Sequence, residues 1–186
     1  MARDTRRQMI EGAMELLATK GLQGTSLGDV VEATGAPRGS IYHHFPAGKD
    51  ELIAAAVDAT GQKYLEWMDT FVGASPEMIT GGFLQFWRHT LIRSDMKAGC
   101  PVLAVTVSSD DEQLIDHARA VFRDSRAKIA ELLTEAGVPA ATAESFATIA
   151  VASAEGAVVL ARAERSIEPF DVVAASLTEQ ARQLLK

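Results

Sequence analysis

Apolar residues recur along this chain at intervals of three and four and alternate at an interval of two almost nowhere. The first spacing lines one face of an α-helix, the second one face of a strand. Ile10, Ala13, Met14 and Leu17 set out a first helix, which Gly21 stops. Ser26, with Asp29 three residues on, starts a second. A hydroxyl there caps loose amides, and a carboxylate suits the positive helix end. That helix buries Leu27, Val30 and Val31 and ends at Thr34-Gly35. Pro37 fits the first turn of a third helix, a short one reaching about His44 because Pro46 and Gly48 follow. A long fourth helix runs from Lys49 to the region of Phe71, closed by Gly73-Ala74-Ser75-Pro76, and a fifth covers about Pro76 to Arg93. The stretch from Ser94 to Ser108, with Gly99 and Pro101, reads as a loop holding at most a short helix. Ser109 and Glu112 form a capping-box pattern that opens another long helix, terminated by Gly137. Pro139 begins an alanine-rich helix ending near Arg165, and a last helix after Pro169 carries Val173, Leu177, Ala181 and Leu184 on one face. The prediction is an all-α fold of about nine helices.

Composition narrows the class. The 186 residues are 47% hydrophobic and 23% charged, ordinary for a globular chain. No apolar run approaches the roughly 18 residues of a membrane span. Glu11 and Glu15 interrupt the stretch after Arg3, Arg6 and Arg7, which argues against a signal peptide. Cys100 is the only cysteine, so an intrachain disulfide is impossible and a reducing cytoplasm is expected. The net charge of −7 opposes binding to phosphates, but its distribution matters more. Residues 1–50 hold six basic and six acidic side chains, whereas the remaining 136 hold twelve and nineteen. Between Ala33 and Lys49 there is no acid at all, while Arg38, His43, His44 and Lys49 are present.

Two short helices joined by Thr34-Gly35-Ala36-Pro37 fit a helix-turn-helix, whose tight turn often contains glycine. The second of them, Arg38-Gly39-Ser40-Ile41-Tyr42-His43-His44-Phe45, has only Ile41 and Phe45 as apolar anchors. Its other side chains carry the hydrogen-bonding heads that base edges require. Neighbouring helical residues point about 100° apart, so His43 and His44 are not expected to share a metal. The Tyr42 ring is expected in the core with its hydroxyl outward.

The run from Thr25 to Phe45, with Gly35-Ala36-Pro37-Arg38-Gly39-Ser40-Ile41-Tyr42-His43-His44-Phe45 at its centre and Lys49 and Leu52 following, resembles the DNA-binding signature of the TetR/AcrR repressors. The likeness covers about residues 5–55, and Gly48 within Phe45-Pro46-Ala47-Gly48-Lys49 is similar to the branch of lincomycin-resistance and efflux repressors. The resemblance implies that Arg38, Ser40, Tyr42 and His44 contact bases and phosphates, with His43 a further candidate. Ser26 and Lys49 match positions that hold the phosphate backbone. Gly28 stands where many members carry an arginine that reads a guanine, so Arg38 is the expected main base reader. The partition implied is a DNA-binding domain over 1–47 and a ligand-binding and dimerisation domain over 48–186.

The middle third is dense in large apolar side chains, the composition that lines ligand pockets, and the resemblance places an inducer site there. Trp67, Phe71, Phe83, Phe86, Trp87 and Phe122 are candidates for its wall, with Cys100 and Leu103 beside them. His117 is the candidate polar group; His89, Arg93, Thr106 and Ser125 are others. Cys100 has no second cysteine or adjacent base to activate it, so packing is its expected role. In the last helices Phe146, Ile149, Ser153, Ala157 and Leu160 form one stripe, and Val173, Leu177 and Leu184 a second. Both are expected to face a second copy, since a single short recognition helix reads too few bases.

No nucleophile elbow, phosphate loop, metalloprotease motif or metal-spaced Cys/His set is present. A non-enzyme without cofactor is expected: a DNA-binding transcriptional regulator, a homodimer released from a palindromic operator by a small apolar or aromatic ligand, with no membrane partner. The alternative from the residues is a helical module that answers to a ligand or a protein partner and has weakened DNA recognition.

Overall fold

The computed structural model describes the backbone of residues 2–185 and the side chains of residues 4–185. The Arg3 side chain, counted above among the N-terminal arginines, lies outside the described residues. Among these residues the chain forms nine α-helices and no strand. They are α1 (Ala2–Lys20), α2 (Leu27–Thr34), α3 (Arg38–His44), α4 (Lys49–Asp69), α5 (Pro76–Arg93), α6 (Pro101–Ser108), α7 (Glu112–Glu135), α8 (Ala140–Glu164) and α9 (Glu168–Arg182).

Helix ends follow local chemistry. Ser26 and Asp29 form the reciprocal box at the start of α2: the Ser26 hydroxyl accepts from the Asp29 amide at 3.1 Å, and the Ser26 amide donates to Asp29 Oδ2 at 2.9 Å. Gly35 ends α2 at φ 66°, the left-handed conformation in which only a residue without a Cβ is comfortable. α5 starts at Pro76 behind the Ser75 cap. The stretch expected as a loop holds the eight-residue α6, begun by Pro101 and capped by the Cys100 sulfur, 3.4 Å from the Leu103 amide. The box expected at Ser109 and Glu112 does not form. Asp111 caps α7 instead, accepting from the amides of Gln113 and Leu114 at 2.8 and 3.0 Å, while Ser109 Oγ accepts from the Asp111 amide. A carboxylate nearer the first turn meets two orphan amides and outcompetes a hydroxyl two residues further away.

The chain divides into two compact units. The first comprises residues 1–62 and 100–121, the second residues 63–99 and 122–186, so α4 and α7 each contribute to both. In the first unit α1 contacts α2, α3 and α6, and α2 contacts α3. Its core gathers Met9, Ala13, Leu17, Val30, Ile41, Phe45, Leu52 and Ile53, all at most 2% exposed. Removing a side chain the size of Phe45 from water contributes about 1.5–3 kcal/mol, and here that burial anchors the end of α3.

In the second unit α5, α8 and α9 contact one another pairwise. Arg88 of α5 donates through Nε and Nη2 to both carboxylate oxygens of Asp171 on α9, at 2.8 and 3.1 Å. Arg182 near the end of α9 reaches Glu77 on α5 in the same way. α8 departs from the sequence reading, because by length and composition it is apolar enough to cross a membrane. One face explains part of this: Ala143, Phe146, Ala147, Ala150, Ala154, Ala157, Val158 and Ala161 are buried within the unit. The opposite face is apolar and exposed, with Ile149 at 51% and Leu160 at 50%.

Candidate nucleic-acid interface

α2 and α3 are held by the capping box, the Gly35 turn and the inward Ile41 and Phe45. Arg38, Tyr42 and His43 stand exposed on α3, and Ser40 and His44 are half-buried. Tyr42 corrects the sequence reading: at 65% exposure its ring lies in solvent, not in the core. The reason is phase. Ile41 and Phe45, four apart, take the inward face, which turns Arg38 and Tyr42, also four apart, outward. Neither Arg38 nor Tyr42 makes a hydrogen bond or ion pair among the described residues, so their polar heads are available to a ligand of this surface. His43 and His44 meet edge to face at 5.3 Å, and no group of side chains able to hold a metal occurs among the described residues.

Three of the other predicted positions have internal partners. The Ser40 hydroxyl donates to the Pro37 carbonyl at 2.6 Å, fastening the first turn of α3. Lys49 donates from Nζ to the Leu22 carbonyl at 3.1 Å, which ties the start of α4 to the α1–α2 loop. Ser26 is the α2 cap, and its hydroxyl holds the Asp29 carboxyl below the usual carboxylate range, with the Ser26 amide adding to the effect. Arg6, one of the N-terminal arginines, lies over the Phe45 ring at 5.1 Å. That cation–π contact went unseen in the sequence, since only the α1–α3 packing brings positions 6 and 45 together. Arg7 pairs with Asp4 at 3.0 Å.

The predicted ligand-site residues fall in both units. In the second, Trp67 and Phe71 meet edge to face at 5.5 Å, and so do Phe86 and Trp87. Phe83 and Trp87 are buried, Phe122 half-buried, and the Trp67 indole donates to the Gly82 carbonyl at 2.9 Å. Tyr64, not singled out from the sequence, joins this cluster: its ring meets Phe83 at 6.0 Å and Phe86 at 5.9 Å. Its hydroxyl is buried with no hydrogen-bond partner among the described residues, and burial pushes the phenol pKa up. In the first unit Cys100 is buried at its cap and Leu103 half-buried. His117 lies in a groove lined by Asp50, Glu51 and Asp111 together with Ala54, Ala55 and Leu114, and its Nδ1 is 2.8 Å from Asp58 Oδ1. His89, Arg93 and Thr106 are exposed and Ser125 half-buried.

The predicted dimer residues divide by face. Phe146, Ala157 and Leu177 are buried within their own unit, Ser153, Val173 and Leu184 are half-buried, and Ile149 and Leu160 are exposed. The outward stripe of α8 is completed by Ala152, Gly156 and Val159, and Val172 is exposed on α9.

Residues 9–56, which contain this helix-turn-helix, match the family model of bacterial regulatory proteins of the tetR family, and residues 77–176 match the LmrA/YxaF-like C-terminal domain of transcriptional regulators. The chain belongs to the TetR family. An uncharacterized HTH-type transcriptional regulator of Mycobacterium tuberculosis is 34% identical to it over 175 residues, covering 90% of this chain and 89% of the relative. The HTH-type transcriptional regulator LmrA of Bacillus subtilis is 26% identical over 171 residues, 90% and 91% of the two chains. Among solved structures, a TetR transcriptional regulator from Chloroflexus aurantiacus superposes with a TM-score of 0.77 at 27% identity, over 98% of this chain and 96% of the other. A TetR-family regulator from Agrobacterium tumefaciens shares the fold with a TM-score of 0.82 at 21% identity, over 97% and 98%. The protein is therefore a transcriptional regulator of the TetR family. Its relatives and its fold are those of regulators, and the exposed face of α3 lies within the segment that carries the family's DNA-binding signature.

Proposed function

We propose that this TetR-family regulator is a cytoplasmic repressor that binds a palindromic operator as a homodimer and leaves it when a small apolar or aromatic ligand binds. The observation that carries this reading is the division of α3 into a buried face, Ile41 with Phe45, and an exposed polar face, Arg38 with Tyr42 and His43. A guanidinium so displayed can grip a guanine through two hydrogen bonds. Residues 1–47 then read DNA, and residues 48–186 bind the ligand and the second copy. Ser26, Ser40, His44 and Lys49 position the recognition helix or its phosphate contacts.

A dimer is supported by the outer face of α8. Exposed Ile149, Val159 and Leu160, separated by Ala152 and Gly156, form an apolar stripe whose small residues permit close helix approach. Two recognition helices can then read half-sites about 34–36 Å apart, or a multiple of that. Regulation would pass along α4, a continuous helix whose first part belongs to the unit of the helix-turn-helix and whose later part carries Tyr64, Trp67 and Met68. A ligand among the aromatic residues that favours another setting of α4 lowers operator affinity by its preference for that state, typically about 1–3 kcal/mol.

Operator titration tests this, with and without ligands first found by thermal-shift screening. Release of the operator by a bound ligand is the expected result; unchanged operator affinity with tightly bound ligand would refute the coupling.

A further inference from the structure

Tyr64 lies in the second unit among rings that would accept a phenylalanine equally well. It is 5% exposed, and Phe83 and Phe86 meet it edge to face. Its hydroxyl has no hydrogen-bond partner among the described residues. A buried polar group left unsatisfied is costly, so such groups in native proteins call for an explanation. The Thr80 hydroxyl is in the same condition: Thr80 is 1% exposed and has no partner among the described residues, one helical turn before Phe83 on α5. The second unit therefore holds two orphan hydroxyls, of which that of Tyr64 is carried on a ring packed against Phe83 and Phe86. The indole N–H of Trp67 differs, because the Gly82 carbonyl already takes it.

We infer that the Tyr64 hydroxyl is the hydrogen-bonding contact of the effector site, donating to a carbonyl or ether oxygen on a neutral ligand whose planar apolar body lies against Phe83 and Phe86. This inference rests on the proposed ligand reading of the aromatic helices. A phenol O–H can donate and accept, but its oxygen lone pair is drawn into the ring, so it is the stronger donor and its best partner on the ligand is an acceptor. That acceptor is uncharged because the ring wall offers no counter-charge to a desolvated ion. Trp67, 39% exposed, is the ring of the cluster most open to solvent, and Phe71 and Phe86 are half-buried.

The test uses two probes of like shape, 2-acetylnaphthalene with a carbonyl acceptor and 2-ethylnaphthalene without one, measured on the full chain by equilibrium dialysis. Wild type is expected to bind the ketone about tenfold tighter, the ratio that one hydrogen bond supplies. In Tyr64→Phe the preference is lost or inverted, since the ketone then loses water without compensation. The melting temperature of Tyr64→Phe, and of the isosteric Thr80→Val, stays level or rises; a clear fall would show that the hydroxyl serves the fold and would overturn the inference. Equal binding of both probes by wild type, or a preference that survives in Tyr64→Phe, would also overturn it while leaving an apolar site in place. Binding of neither probe would overturn the inference and the apolar ligand site together. Ketone binding that depends on Tyr64 but leaves operator affinity unchanged would refute ligand-driven release and leave the hydroxyl contact standing.

Discussion

Replacing Gly12 by alanine should destabilise this protein, although alanine is the better helix former. Gly12 lies in the middle of α1, where glycine costs about 1 kcal/mol relative to alanine. A Cβ built there lies 2.5 Å from Thr34 Cγ2 on α2, well inside the roughly 3.5–4.0 Å of ordinary carbon contact. Thr34 has no cheap way to yield. Its side chain is short and β-branched, and its hydroxyl donates to the Val30 carbonyl at 2.7 Å, so rotating the methyl away breaks that bond. Overpacking of this kind costs about 1–3 kcal/mol. Set against the propensity gain, Gly12→Ala should lose about 1 kcal/mol, a fall of about 2–4 °C in melting temperature for a chain of this size. Operator affinity should fall too, since α1 supports both α2 and α3. Thr34→Ser supplies the control: it keeps the oxygen and removes only the offending methyl. In that background Gly12→Ala should become stabilising by up to about 1 kcal/mol, because the next atom, Val30 Cγ1, stands 3.8 Å away. Urea unfolding followed by circular dichroism at fixed protein concentration measures all four variants. An equal effect of Gly12→Ala in both backgrounds would refute the steric argument.

Arg38→Ala should cost about 1–3 kcal/mol of operator binding and relax base preference at one position per half-site; a uniform loss across operator variants would make Arg38 a phosphate contact instead. At Gly28 a new Cβ meets nothing but Ser26 Oγ at 3.6 Å, so Gly28→Arg should fold normally and tighten operator binding, as gel-shift titration would show. Leu160→Glu, at a side chain half exposed in the protomer, should leave the helix content intact and yield a monomer in sedimentation at micromolar concentration; a dimer there would move the interface elsewhere. The depressed Asp29 carboxyl contributes stability that is present above the unfolded pKa of about 4 and is lost as pH falls through its lower folded value. Ser26→Ala should remove that acid dependence as well as costing about 1 kcal/mol of capping at neutral pH, both visible in urea midpoints measured from pH 2 to 7.

Where one residue type permits one geometry, the chain was readable. The Ser26–Asp29 box, the Gly35 turn and the proline before α3 each specify a local structure, and with Ile41 and Phe45 they make the helix-turn-helix legible. Legibility fell where several positions compete. Ser109 and Asp111 both suit a helix start, and only the backbone shows that the carboxylate reaches the orphan amides. In α8, alanine and valine occur on every face, so hydrophobic spacing could not give the phase, and the predicted stripe mixed buried Phe146 and Ala157 with exposed Ile149 and Leu160. Tyr42 was misread for a related reason: a phenol suits both core and surface, and the phase set by Ile41 and Phe45 decided it. Tyr64 carries no local signal, because its meaning depends on rings one helix away.

The outward face of α3 is proposed to read DNA sequence. Selection of bound duplexes from a random pool by the purified protein, near physiological salt so that sequence-independent binding is suppressed, measures this. The expected result is enrichment of one palindrome by the wild type, with preference at one position of each half-site lost in Arg38→Ala. A pool that stays random, or the same palindrome selected undiminished by Arg38→Ala, would contradict it.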